Sequence, residues 1–142
     1  MCTMRTVALC VLVCTLAVAC AASESTSPEL DYTVSGCAEE YETSRAASAD
    51  ELQIMVRGDA IHVAHRLSYV CCAELLLRVE QEGNTIRVVE QNVGEMCRCL
   101  CDYDVEAEIA GLISGVYRVE VWGVEYEEVH TPELLGQATV QL

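Results

Sequence analysis

The chain has 142 residues, of which 8 are basic and 23 acidic, a formal net charge of −15; all eight basic residues are arginine. This length accommodates one domain, with or without a tail. The acid excess repels a phosphate backbone and an anionic lipid surface alike, which excludes nucleic-acid partners and a basic grip on a membrane.

The first element is an address. MCTMR carries one positive charge, and residues 6–19, TVALCVLVCTLAVA, are apolar and uncharged. That is the length of a secretory h-region and too short for a comfortable membrane-spanning helix, so residues 1–19 are expected to be a cleaved signal peptide. The run closes on Ala17, Val18 and Ala19, followed by Cys20. This resembles the bacterial lipobox, with Ala17 where that motif usually has Leu, and Leu16 one step earlier. The resemblance implies a lipoprotein. Cys20 would become the first residue, carry the lipid (palmitate among its acyl chains) and tether the chain to the cell envelope, facing the periplasm or the exterior. Cleavage by an ordinary signal peptidase after Ala19 or Ala22 is the alternative. Cys10 and Cys14 lie inside the h-region and leave with it.

Residues 20–50 are rich in Ser, Ala, Thr and Glu and show no sustained period, so they are expected to form a flexible tether. Cys37 is the exception in this stretch. A bridge from it would dock the second half of the tether, with TVSGC as a first strand.

Residues 51–142 are expected to form a single domain of strands. LQIMV and AIHVAH flank RGD, where Gly58-Asp59 suits a tight hairpin turn. SYVCCAELLLRVEQ and IRVVEQNV flank a second turn at Gly83-Asn84. CRCLCDYDVEAEI alternates clearly, with Tyr103, Val105, Ala107 and Ile109 on one face and Asp102, Asp104, Glu106 and Glu108 on the other. That is the pattern of a half-buried antiparallel strand. The acidic face reads as solvated, with cation binding as its functional alternative. QATVQL closes the sheet. The fold class is therefore all-β, a single antiparallel sandwich of about seven strands.

GLISGVYRVEVWG, residues 111–123, is similar to the G-L-x-x-G-x-Y-x-V-x-V run of immunoglobulin-like and transthyretin-like sandwiches. The resemblance implies that Gly115 makes a turn and that Tyr117 is a corner tyrosine, its ring inside and its hydroxyl bonded to the preceding turn. Val119 and Val121 would continue the inner face. The lipobox, the CC pair, the CxCxC strand and this turn together resemble small Cys-rich bacterial lipoproteins, a resemblance that carries no activity.

Once Cys20 takes the lipid, six cysteines remain: Cys37, Cys71, Cys72, Cys97, Cys99 and Cys101. An even count in an oxidising compartment favours three disulfides, with fifteen pairings open. Residues two apart on one strand lie about 6.6–7 Å apart, too far for easy pairing, so CRCLC should bridge elsewhere. In a regular strand Cys97, Cys99 and Cys101 share the inward parity of Tyr103. Cys71 shares the apolar parity of Leu75 and Leu77, and Cys72 the polar one, so one or both should bridge to CRCLC and Cys37 should take a remaining partner. The alternative is a zinc or copper site built from His65, Cys71, Cys99 and Cys101, weakened by thiol spacing unlike a C-x₂₋₄-C knuckle.

No hydrolase, metalloprotease, P-loop or dinucleotide motif occurs. His62 and His65 are three apart and face opposite sides of a strand, as polar residues near its end. Loops at sandwich ends often carry binding. Trp122, Tyr126 and His130, in WGVEYEEVHTPE, are therefore the candidates for gripping a protein partner through the 122–133 loop. The expectation is a non-enzymatic structural or binding module without a cofactor, or alternatively a zinc or copper binding protein.

Overall fold

A computed structural model describes residues 27–35, 52–127 and 129–142. The signal peptide, Cys20, most of the tether and Cys37 lie outside the described residues. Eight strands follow one another: β1 (Glu29–Val34), β2 (Gln53–Arg57), β3 (Ala60–Val70), β4 (Leu75–Glu82), β5 (Thr85–Asn92), β6 (Leu100–Ala110), β7 (Val116–Glu125) and β8 (Leu134–Gln141). They form two four-stranded sheets. Sheet A has the order β1-β6-β3-β2 and sheet B the order β4-β5-β7-β8.

Both expected hairpins form. Gly58 joins β2 to β3 and Gly83 joins β4 to β5, each with positive φ (64° and 59°), a conformation that costs glycine little. Between hairpins the chain changes sheets three times, after β3, β5 and β6. The alternation read in DYDVEAEI is the burial pattern of β6, whose odd positions face sheet B. Ile61 and Val63 of β3, Ile86 and Val88 of β5, and Val119 and Val121 of β7 complete the core with Val105 and Ile109.

Tyr117 takes the corner position. Its ring is buried, and its hydroxyl donates to the Ile113 carbonyl at 2.7 Å, closing the turn that enters β7. A second buried tyrosine, Tyr103, donates to the Val70 carbonyl at 2.9 Å and so ties β6 to the end of β3.

Three expectations are corrected. First, the sandwich begins before residue 51. Glu29–Val34, inside the segment read as tether, is an edge strand whose Leu30, Tyr32 and Val34 pack on the core. Second, the pairing is not wholly antiparallel: β5 and β7 run parallel, with Val88 opposite Val121. The chain leaves β5, builds β6 in the other sheet and returns, so β7 arrives in the same direction. Third, only Cys101 of the CRCLC cysteines lies in a strand. β6 starts at Leu100 and β4 at Leu75, so Cys71, Cys72, Cys97 and Cys99 sit in the crossovers between sheets, where strand parity does not govern them. Cys99 is exposed, while Cys71, Cys72 and Cys97 are half-buried.

Candidate functional site

The two crossovers, residues 71–74 and 93–99, run side by side at one end of the sandwich. Cys71 N–H donates to the Cys99 carbonyl at 3.2 Å, Val93 N–H to Glu74 at 2.8 Å and Glu95 N–H to Cys72 at 3.3 Å. Buried Asn92 accepts with one side-chain oxygen from the N–H groups of Glu74 (3.1 Å) and Gly94 (2.8 Å), so a single amide organises both segments. Gly94 lies against the opposite crossover. A Cβ built there would meet Glu74 N at 2.6 Å and Cys72 O at 2.8 Å.

This closeness brings the thiols together. The β3/β6 register ends at Val70 opposite Leu100 and, continued by one residue, sets Cys71 against Cys99. They form a disulfide with Cα atoms 5.6 Å apart, and Cys72–Cys97 forms another at 6.1 Å, both within the usual range. Cys101 is disulfide-bonded as well. The CC pair thus bridges to CRCLC twice. The sulfur ligand atoms of Cys71, Cys97 and Cys99 lie within 4.8 Å of one another.

His65 does not join them. On β3 it shares the inward parity of Ile61 and Val63, and it pairs across the core with Glu90 of β5. Their side chains are 5% and 1% exposed. Burial alone would lower the His65 pKa. The hydrogen bond and charge of Glu90, with a backbone hydrogen bond at Arg66, outweigh burial, and the net shift is upward. The second Glu90 oxygen, Oε2, is buried with no hydrogen-bond partner among the described residues. His62 faces the outer side of sheet A, as its spacing from His65 requires, yet it too is buried and mid-strand.

Beside the stapled end is a cleft of about 350 Å³. It exists because β2 is short. Its register ends at Gln53 opposite Ala64, so the second half of β3 has no β2 residue beside it. There Leu67 and Tyr69 of sheet A face Val124 and Leu135 of sheet B, with His130 and Met96 also lining the cleft. Met96 adjoins Cys97 and accepts a hydrogen bond from the Tyr69 hydroxyl at 3.5 Å, so the staple positions one wall.

The loop candidates separate. His130 lines the cleft, and the backbones of Tyr126 and His130 bond reciprocally at 3.1 and 3.2 Å. Trp122 instead lies on the outer face of sheet B and donates to Glu120 at 3.1 Å. Glu120 also accepts from Arg118 and Arg87. Sequence alone names His65 only as a metal-ligand candidate and does not pair it with Glu90, although each stands on the apolar parity of its strand.

No helix among the described residues is long and apolar enough to cross a membrane. The chain matches no protein-family model, and comparisons with curated proteins and with solved structures give no significant match.

Proposed function

We propose that the protein is a lipid-anchored, extracytoplasmic, non-enzymatic binding module of the bacterial envelope that holds a protein partner in the cleft beside its stapled end. One observation carries this reading. Two disulfides lock the crossovers that place Met96 against Tyr69, so an apolar cleft opening between the sheets has a wall fixed by covalent bonds. Preorganisation of this kind reduces the entropy lost on binding. Leu67, Tyr69, Met96 and Leu135 supply apolar contacts, and His130 and Glu133 supply polar ones. The lipid on Cys20 is the anchor in this reading, and the Tyr117–Ile113 corner supports an immunoglobulin-like sandwich.

Two measurements test it. Labelled palmitate should enter the wild-type chain and not Cys20→Ala, and an unlabelled wild type ends the anchor. A photo-crosslinker at residue 135 should trap one discrete partner in intact cells, and Leu67→Glu should abolish that adduct. An adduct unchanged by Leu67→Glu rejects the cleft.

The proximity of the Cys71, Cys97 and Cys99 sulfurs favours a second reading, in which the reduced cluster holds zinc or copper. Elemental analysis of protein isolated from the periplasm without reductant decides it. The absence of stoichiometric metal with the cysteines disulfide-bonded ends that reading.

A further inference from the structure

We propose that the two crossover disulfides act as one redox device: a dithiol reductant that opens Cys71–Cys99 also opens Cys72–Cys97, and the chain ends with a bridge inside CRCLC and two thiols on the CC pair. The sulfurs are placed for this. The Sγ atoms of Cys97 and Cys99, which belong to different disulfides, lie 3.3 Å apart. Atoms poised to react lie at about 3–3.5 Å. Cys97 and Cys99 precede β6, so the strand geometry that sets alternate residues about 6.6–7 Å apart does not govern them.

The exchange runs in three steps, each a thiolate attack on a disulfide sulfur. Exposure selects the first target. Cys99 is exposed and Cys71 half-buried, so a thiolate of the reductant attacks Cys99 Sγ. A mixed disulfide forms, the Cys71–Cys99 bond breaks, and Cys71 leaves as a thiolate and takes up a proton. In the second step the reductant's other thiolate attacks its own sulfur in the mixed disulfide. The reductant departs with an internal disulfide, and Cys99 is released as a thiolate. In the third step this thiolate attacks Cys97 Sγ. The Cys97–Cys99 bond forms, the Cys72–Cys97 bond breaks, and the electron pair goes to the Cys72 sulfur, which is then protonated. Two electrons and two protons have passed from the dithiol to the CC pair.

Three neighbouring groups favour this course. Arg98 stands between the two cysteines in the chain, is exposed and has no ion pair among the described residues. A nearby cation favours thiolate over thiol. The Cys72 N–H donates to Cys97 Sγ at 3.2 Å and draws charge from the sulfur under attack. Cys72 Sγ lies 3.2 Å from the Glu95 carbonyl oxygen, an acceptor that a disulfide sulfur cannot use and the product thiol can. After the exchange neither bridge joins the crossovers. Their hydrogen bonds remain, and the segment that carries Met96 loosens. The exchange does not depend on what the cleft binds.

The test adds one equivalent of dithiothreitol to the oxidised full chain, followed by acid quenching, alkylation and disulfide mapping. It needs no substitution, so no folding failure can obscure it. The singly reduced protein is expected to carry alkyl groups on Cys71 and Cys72 and a Cys97–Cys99 link, with both crossover bridges lost for one equivalent. Amide exchange at Val93 and Glu95 should quicken in that species. Alkylation of Cys71 and Cys99 with Cys72–Cys97 intact overturns the device. So does a Cys71–Cys97 link, which would keep the crossovers tied, or a mixture of untouched and fully alkylated chains. Unchanged protection at Val93 and Glu95 overturns the loosening.

Discussion

His65 of β3 and Glu90 of β5 meet inside the sandwich, an imidazole and a carboxylate joined across the gap between two sheets whose shared core is otherwise made of aliphatic side chains and tyrosine rings. Removing one partner of a buried pair leaves the other desolvated and unpaired, at a cost of about 3–5 kcal/mol. Glu90→Leu is therefore expected to lower stability by about that amount in urea titrations. Replacing both by Leu should recover most of the loss, because no orphaned charge remains. A double variant no better than Glu90→Leu would show that shape, rather than charge, makes the pair necessary.

The same pair gives stability a pH dependence of definite sign. The His65 pKa is raised in the folded state relative to its ordinary value of 6.5. The stabilisation it brings is complete below the unfolded value and is lost as pH rises through the higher folded value. Urea midpoints should fall as pH increases above about 6.5, and the fall should vanish in His65→Leu. A midpoint that rises over this range contradicts the assignment.

Disulfide mapping should find Cys71–Cys99 and Cys72–Cys97. Cys101 is also disulfide-bonded while the other four described cysteines pair with one another; in the lipid-anchored reading, which removes residues 1–19 and acylates Cys20, the third bridge is expected to reach Cys37. The two crossover bridges close sequence separations of 28 and 25 residues. In the chain-entropy model each contributes about 3–4 kcal/mol, so Cys71→Ser/Cys99→Ser should lose about that much. Peptides linking Cys71 to Cys72 directly would refute the arrangement.

Gly94→Ala should destabilise the stapled end specifically. The added methyl group meets backbone atoms of Cys72 and Glu74 rather than the tip of a side chain, so the crossovers must separate. Strain of this type costs about 1–3 kcal/mol. Hydrogen exchange should quicken at the Val93 and Glu95 amides while the centre of β6 stays protected. Uniform quickening across β6 would show that the glycine acts globally.

Much of this architecture is written in local pattern. The β6 alternation, the glycines at positions 58 and 83, and the spacing that makes Tyr117 a corner each depend on neighbours a few residues away. The bridge from CC to CRCLC was reached from strand spacing, yet Cys97 and Cys99 lie outside β6, and it is the side-by-side crossovers that bring them to Cys72 and Cys71. β1 was legible only in part, at the Thr33-Val34 end that TVSGC includes, because Leu30, Tyr32 and Val34 sit among Ser, Thr and Glu in a segment of tether-like composition. The His65–Glu90 pair was hidden because its partners belong to different sheets. Its local sign was a titratable residue on the parity of Ile61 and Val63 in one strand, and of Ile86 and Val88 in the other.

The parallel contact of β5 with β7 sets an order of events in folding. The β2/β3 and β4/β5 hairpins close over short turns and can form early. β7 reaches β5 only across the long excursion through β6, a closure that costs more chain entropy than either hairpin turn. The β5/β7 contact is therefore the slow pairing of sheet B. Non-local pairing of this kind places folding in the range of about milliseconds to seconds. During that interval β5 exposes an unpaired apolar edge on which a second nascent chain can dock, and the interval lengthens whenever the crossover cysteines find wrong partners first.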